Sequence, residues 1–114
     1  MGKELKGVHS TRRYARVAGP FDGCHLGSPK SPVLVYDLNL GGGFVSFLHE
    51  QPKAAATLQL KIDLPQEGPI TVNAETVYCH QFGVAVRFVD VDDETSARLE
   101  RTVAAMRHLQ PGNS

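Results

Sequence analysis

Two neighbouring stretches of this 114-residue chain alternate strictly between apolar and polar side chains, and that alternation narrows the folds open to it. Residues 57–64 read T-L-Q-L-K-I-D-L. Successive side chains of a strand point to opposite faces, so Leu58, Leu60, Ile62 and Leu64 share one face and Thr57, Gln59, Lys61 and Asp63 the other. Residues 70–79 alternate likewise, with Ile70, Val72, Ala74, Thr76 and Tyr78 opposing Thr71, Asn73, Glu75, Val77 and Cys79. Near the end of that run either face suits burial. The P-Q-E-G-P between the two runs is a hairpin loop. A pair of strands with one wet face belongs to an antiparallel sheet that must bury its other face.

The remaining runs extend this sheet. Residues 17–26 form an irregular strand interrupted by Gly19-Pro20, and residues 27–32 are a turn, since two prolines in six residues exclude a central strand. Residues 33–37, 43–48 and 83–90 supply three more strands. Six strands at roughly 8–12-residue spacing predict an antiparallel barrel or sandwich, and closure removes exposed edges. After residue 90 the period changes. Asp92 can cap a helix whose first turn holds Asp93 and Glu94, and Leu99, Val103 and Met106 fall on one stripe that covers an open side or mouth of the barrel. Pro111-Gly112 ends it. The expected architecture is all-β with one C-terminal helix, a six-stranded antiparallel β-barrel over residues 11–110. Residues 1–10, without periodicity, form a disordered tail.

Residues 33–45, V-L-V-Y-D-L-N-L-G-G-G-F-V, hold the most unusual local feature. Three successive glycines exceed what a tight hairpin needs, and each costs entropy on folding. Without Cβ atoms another group can approach the backbone, and bare N–H groups can face an anion or a base edge. Asp37 and Asn39, two apart, point to one face of an extended strand. A carboxylate and an amide beside bare backbone form a surface suited to hydrogen-bond recognition.

Charge is unevenly placed although it sums to zero. In residues 1–16 five cationic side chains against Glu4 leave +4, while seven cations and eleven anions give the remainder −4. Arg12, Arg13 and Arg16 make a basic arm on a mildly acidic body, which suggests an anionic partner. On a helix Arg12 and Arg16 would share a face and repel, so the spacing suits an anion or π-system held between them. A solubilising arginine cluster before the first strand is the plainer alternative.

Cys24 and Cys79 form no C-x-x-C pair and read as reduced, buried side chains rather than a disulfide. The five histidines show no metal-ligand spacing, so no metal site is expected. No apolar run reaches about 18 residues, the N-terminus lacks a secretory signal's apolar centre, and Lys6 stands where a myristoylation signal prefers Ser or Thr. A cytoplasmic protein with no membrane span is expected.

Three features stand in order: Arg12-x-x-x-Arg16, then Asp37-x-Asn39-x-x-Gly42, then G-V-A-V-R-F over residues 83–88 before an acidic-capped helix. Together they resemble the PilZ domain, a bacterial receptor for cyclic di-GMP, whose pattern is an R-x-x-x-R arm followed by [D/N]-x-S-x-x-G. The resemblance spans nearly the whole chain and implies the same six-stranded barrel with a terminal helix. Asn39 departs from the pattern's Ser. It keeps a donor and an acceptor but is larger.

The resemblance implies that cyclic di-GMP lies between the arm and the 37–42 surface. Arg12 and Arg16 would fork onto guanine O6/N7 or phosphate oxygens and stack on the purines, with Arg13 also among the ligand-binding residues; Asp37 would accept from the guanine N1–H and exocyclic amine, Asn39 would assist, and Gly42 would admit the base or ribose. The expected product is a second-messenger receptor whose arm changes conformation on binding and signals to an unidentified downstream protein, with no further cofactor. The alternative is a PilZ-like adaptor that binds a protein and no nucleotide. A nucleic-acid-binding barrel fits less well, because the body is acidic, Trp is absent and aromatics are only 7%. An enzyme fits least: Asp37 has no partner base, and no Ser/Cys–His constellation, paired-carboxylate motif or phosphate loop is present.

Overall fold

Six antiparallel strands close into a barrel in the computed structural model, which describes residues 16–27, 29–49, 51–53 and 55–108. The strands are β1 (Val17–His25), β2 (Ser31–Asn39), β3 (Gly42–Phe47), β4 (Thr57–Leu64), β5 (Gly68–His80) and β6 (Gly83–Val89), followed by helix α1 (Asp93–His108). Around the barrel the order is β1-β2-β3-β6-β5-β4, and β4 returns to pair with β1. No strand of this ring is left without a neighbour on either side, the arrangement that abolishes sheet edges. The expected tail, residues 1–10, and the helix stop at Pro111-Gly112 lie outside the described residues.

Alternation places the core as the sequence indicates. Leu58, Leu60, Ile62 and Leu64 of β4 are buried while the residues between them are exposed. Along β5 the face that carries Ile70, Val72, Ala74 and Thr76 is the buried one. That pattern stops at a register shift between Thr76 and Tyr78, after which Val77, Tyr78, Cys79 and His80 are all exposed. A bulge leaves one residue unpaired and re-aims those that follow.

Two sequence expectations are corrected by these irregularities. Cys79, expected to be buried, is exposed beyond the bulge, and Cys24 is half-buried; both thiols are free. Proline does not confine residues 27–32 to a turn: β2 begins at Ser31, with Pro32 opposite Cys24. Pro20 lies inside β1, at a register shift between Ala18 and Phe21. Proline is tolerated at a strand's first residues and at bulges because no ladder N–H is required there.

Helix α1 starts where capping chemistry predicts. The Thr95 N–H donates to Asp92 Oδ1 at 2.7 Å, and that backbone bond holds the Asp92 carboxyl below its ordinary range. Leu99 and Val103 are buried in the same core as the barrel strands, with Met106 packed against it. A second tie runs from the helix to the β4–β5 loop. Arg101 donates to both carboxylate oxygens of Glu67, at 2.9 and 3.1 Å, and Arg98 donates to the Glu67 and Pro69 carbonyls. The hydrogen bond from Arg101 lowers the pKa of Glu67.

Candidate functional site

The outer wall of the barrel carries a patch laid out by strand register. Across β2, β3, β6 and β5 one row of partners reads Asp37, Phe44, Ala85, Tyr78, and the next reads Asn39, Gly42, Arg87, Glu75. Inward-facing neighbours such as Val45, Val84 and Val86 are buried in the core, so the two rows belong to the opposite face. Gly42 and Ala85 give the patch a low floor, with larger side chains around it. Arg16, at the chain's entry to β1, closes one side through an ion pair from its Nη2 to Asp37 Oδ2 at 3.4 Å. The result is an open cleft of about 480 Å³ lined by Arg16, Asp37, Asn39, Gly42, Phe44, Tyr78, Ala85 and Arg87 among others.

Four of the six residues singled out from the sequence therefore meet in one place: Arg16, Asp37, Asn39 and Gly42. The other two, Arg12 and Arg13, lie outside the described residues. A register shift between Val35 and Asp37 brings Asp37 onto this face opposite Phe44. Tyr36, at that shift, is exposed.

The glycine run works differently from the expectation of bare N–H groups. Leu40 and Gly41 form the turn, and the Gly41 N–H donates to Asn39 Oδ1 at 2.6 Å, an Asx-type closure that Ser would make more weakly. The Gly41 carbonyl accepts from Phe88 N–H at 2.8 Å. Gly42 and Gly43 sit within β3, between β2 and β6, and a Cβ on either would run into a neighbouring strand's carbonyl oxygen, that of Val86 or Asp37. Close strand approach explains both glycines. The polar groups that these residues offer the cleft are on side chains: the Asp37 carboxylate, the Asn39 amide, and the Arg16 and Arg87 guanidiniums.

Phe44, Tyr78 and Arg87 also line the cleft, and of these Arg87 lies in the run over residues 83–88, where 85 and 87 alternate outward. Their convergence with Asp37 depends on pairing across four strands, which no local pattern states. Arg87 is held by an ion pair to Glu75 of the adjoining strand. Beyond Tyr78 an aromatic row continues to the β5–β6 turn, where the Phe44 and His80 rings lie 6.3 Å apart and the His80 and Phe82 rings 5.5 Å. Among the described residues no group of three metal-ligating side chains is found, and no helix is long and apolar enough to cross a membrane.

The model of the PilZ domain family matches residues 10–105 of this chain. The chain belongs to the PilZ domain family. Its fold agrees with that of the PilZ domain with c-di-GMP of YcgR from Escherichia coli, at a TM-score of 0.71 and 18% identity over 89% of this chain and 95% of that one. YcgR from Escherichia coli in complex with c-di-GMP is similar at a TM-score of 0.69 and 22% identity, and the Bacillus subtilis inhibitor of motility (MotI/DgrA) at 0.65 and 16%. This chain spans about half the length of those two structures, 48% and 52%, while 89% and 90% of it is covered. No curated protein matches the chain. At these identities the structural likeness speaks for the PilZ fold, a six-stranded antiparallel barrel with one C-terminal helix.

Proposed function

We propose that this PilZ domain is a bacterial, cytoplasmic receptor for cyclic di-GMP, that it performs no catalysis, and that it passes the signal to a downstream protein. The observation that carries the proposal is the Arg16–Asp37 pair at the side of a cleft floored by Gly42 and Ala85. An arginine and a carboxylate in one open cleft supply opposite halves of guanine recognition. The carboxylate accepts from N1–H and the exocyclic amine, which adenine cannot offer as a pair, and the guanidinium forks onto O6/N7 or a phosphate and stacks on the ring. Each good bidentate contact is worth roughly 1–3 kcal/mol of discrimination, so a few reach micromolar affinity once ordering costs are met.

In this mechanism Arg16 turns from Asp37 to the ligand, and Asp37 takes the guanine edge in its place. The Asn39 carbonyl oxygen stays in its turn while its amide hydrogens reach the ligand. Arg12 and Arg13 complete the cationic side, and the conformation of their segment changes as it meets the bound nucleotide. That change is the output.

Calorimetry with cyclic di-GMP on the wild type, Arg16→Ala and Asp37→Ala tests the reading. Binding by the wild type with at least tenfold loss in each variant is expected. No heat from wild-type protein at tens of micromolar would sink the receptor reading, and unchanged affinity in both variants would show the site to be elsewhere.

A second reading, an adaptor that binds protein and no nucleotide, draws on the exposed apolar side chains in the cleft and close to it in the chain. Tyr78 is 55% exposed, Val77 58% and Phe82 67%. A partner retained equally with and without cyclic di-GMP would favour it.

A further inference from the structure

Arg87 has two possible neighbours on the barrel wall, and only one of them is an anion. In the row Asn39, Gly42, Arg87, Glu75, the carboxylate lies one strand away on β5 and the bare glycine one strand away on β3. Adjacent strands are about 4.8 Å apart, well within the swing of an arginine side chain. Gly42 has no side chain to obstruct that swing toward the cleft, which Arg87 already lines. The guanidinium is paired instead with Glu75.

This repeats the arrangement on the cleft's other side, where Arg16 rests on Asp37. Both cations of the described cleft are therefore neutralised by carboxylates of the protein itself. The Arg87 and Glu75 side chains are 66% and 43% exposed, so their attraction is screened and weak. A pair that weak holds a side chain in place without making its release costly. A phosphodiester, fixed by the rest of the site and accepting two N–H donors at once, is the stronger partner.

We propose that Arg87 is a further anion-binding residue of this cleft and that Glu75 is its resident competitor, displaced when a phosphodiester ligand enters. The proposal rests on the cyclic di-GMP reading and adds a determinant of affinity outside the two sequence motifs. Glu75 returns to water on displacement, and its attraction for Arg87 is subtracted from the observed affinity.

A double-mutant cycle with cyclic di-GMP tests the exchange. Arg87→Met should weaken binding roughly tenfold or more, as expected for a lost charged hydrogen bond. Glu75→Gln should strengthen it roughly two- to five-fold, the scale of an exposed ion pair. In the Arg87→Met background the Glu75→Gln gain should vanish. A gain of the same size in that background would overturn the proposal, because Glu75 would then act only as a general negative charge. Wild-type affinity in Arg87→Met would overturn it too. Absence of wild-type binding would remove the receptor reading and this inference together, whereas wild-type binding with a flat cycle removes the inference alone. The Arg87 Nε–H resonance of the wild type gives an independent readout that survives any misfolded variant: it should shift on saturation with ligand, and an unmoved signal contradicts the exchange.

Discussion

Arg16 Nη2 and Asp37 Oδ2 stand 3.4 Å apart on the outer wall of the barrel. Their side chains retain 47% and 31% of their accessible surface. An ion pair this open contributes little to folding, since its attraction is screened and two long side chains must be held still. Arg16→Ala should therefore change unfolding free energy by less than about 1 kcal/mol while ligand affinity falls. Urea denaturation beside calorimetry separates the two. A large loss of stability would mean that the arginine serves the fold.

Gly42→Ala should act in the opposite sense. The added methyl meets the Val86 carbonyl oxygen, a backbone atom that cannot move without its strand. Overpacking of this kind costs about 1–3 kcal/mol. Chemical denaturation should show that loss, and a variant as stable as the wild type would indicate that β3 and β6 can separate locally.

Leu99→Ala should test whether the helix is part of the core or an ornament on it. Leu99 is fully buried and joins the cluster that contains Leu38, Leu60 and Ile62. Removing it leaves a cavity between α1 and the barrel, at a cost of about 2–5 kcal/mol. A single cooperative transition at lower denaturant is expected. Loss of helical signal before sheet signal would show that the helix unfolds separately.

Acid should weaken the domain through two carboxylates at the ends of its connections. The native-state pKa values of Glu67, bonded by Arg101, and Asp92, bonded by the Thr95 N–H, are lowered. A carboxyl with a lowered native pKa binds protons more readily when unfolded, so its contribution is complete above the ordinary range of about 4 and fades as pH falls from there through the native values. Melting temperatures should decline below about pH 4, and less steeply in Glu67→Gln and Asp92→Asn than in the wild type. Parallel pH profiles in all three proteins would assign the acid sensitivity to other groups.

The strands and the helix were legible because each writes its burial into a local period: two for 57–64, and a stripe at 99, 103 and 106 for α1. The candidate site was legible in Arg16, before the first strand, and in Asp37, Asn39 and Gly42, on one hairpin. Its remaining parts come from neighbouring strands, and the register that unites them is shifted by bulges at 35–37 and 76–78. A bulge adds a residue without a fixed sequence signature, so alternation could not say where Tyr78 would face or that Cys79 would be exposed. The same holds for Arg101 and Glu67, which are far apart in sequence and meet only because the hairpin loop and helix pack together.

The floor of the cleft is woven from strands that also enclose the core, with each alternate residue committed to one side or the other. Inward positions answer to packing, while outward ones such as 37, 75, 85 and 87 are free of the core's demands. Such a wall lets side chains on its exterior be exchanged one at a time while the interior is left undisturbed, so descendants of one scaffold can part ways in surface chemistry long before they part ways in shape.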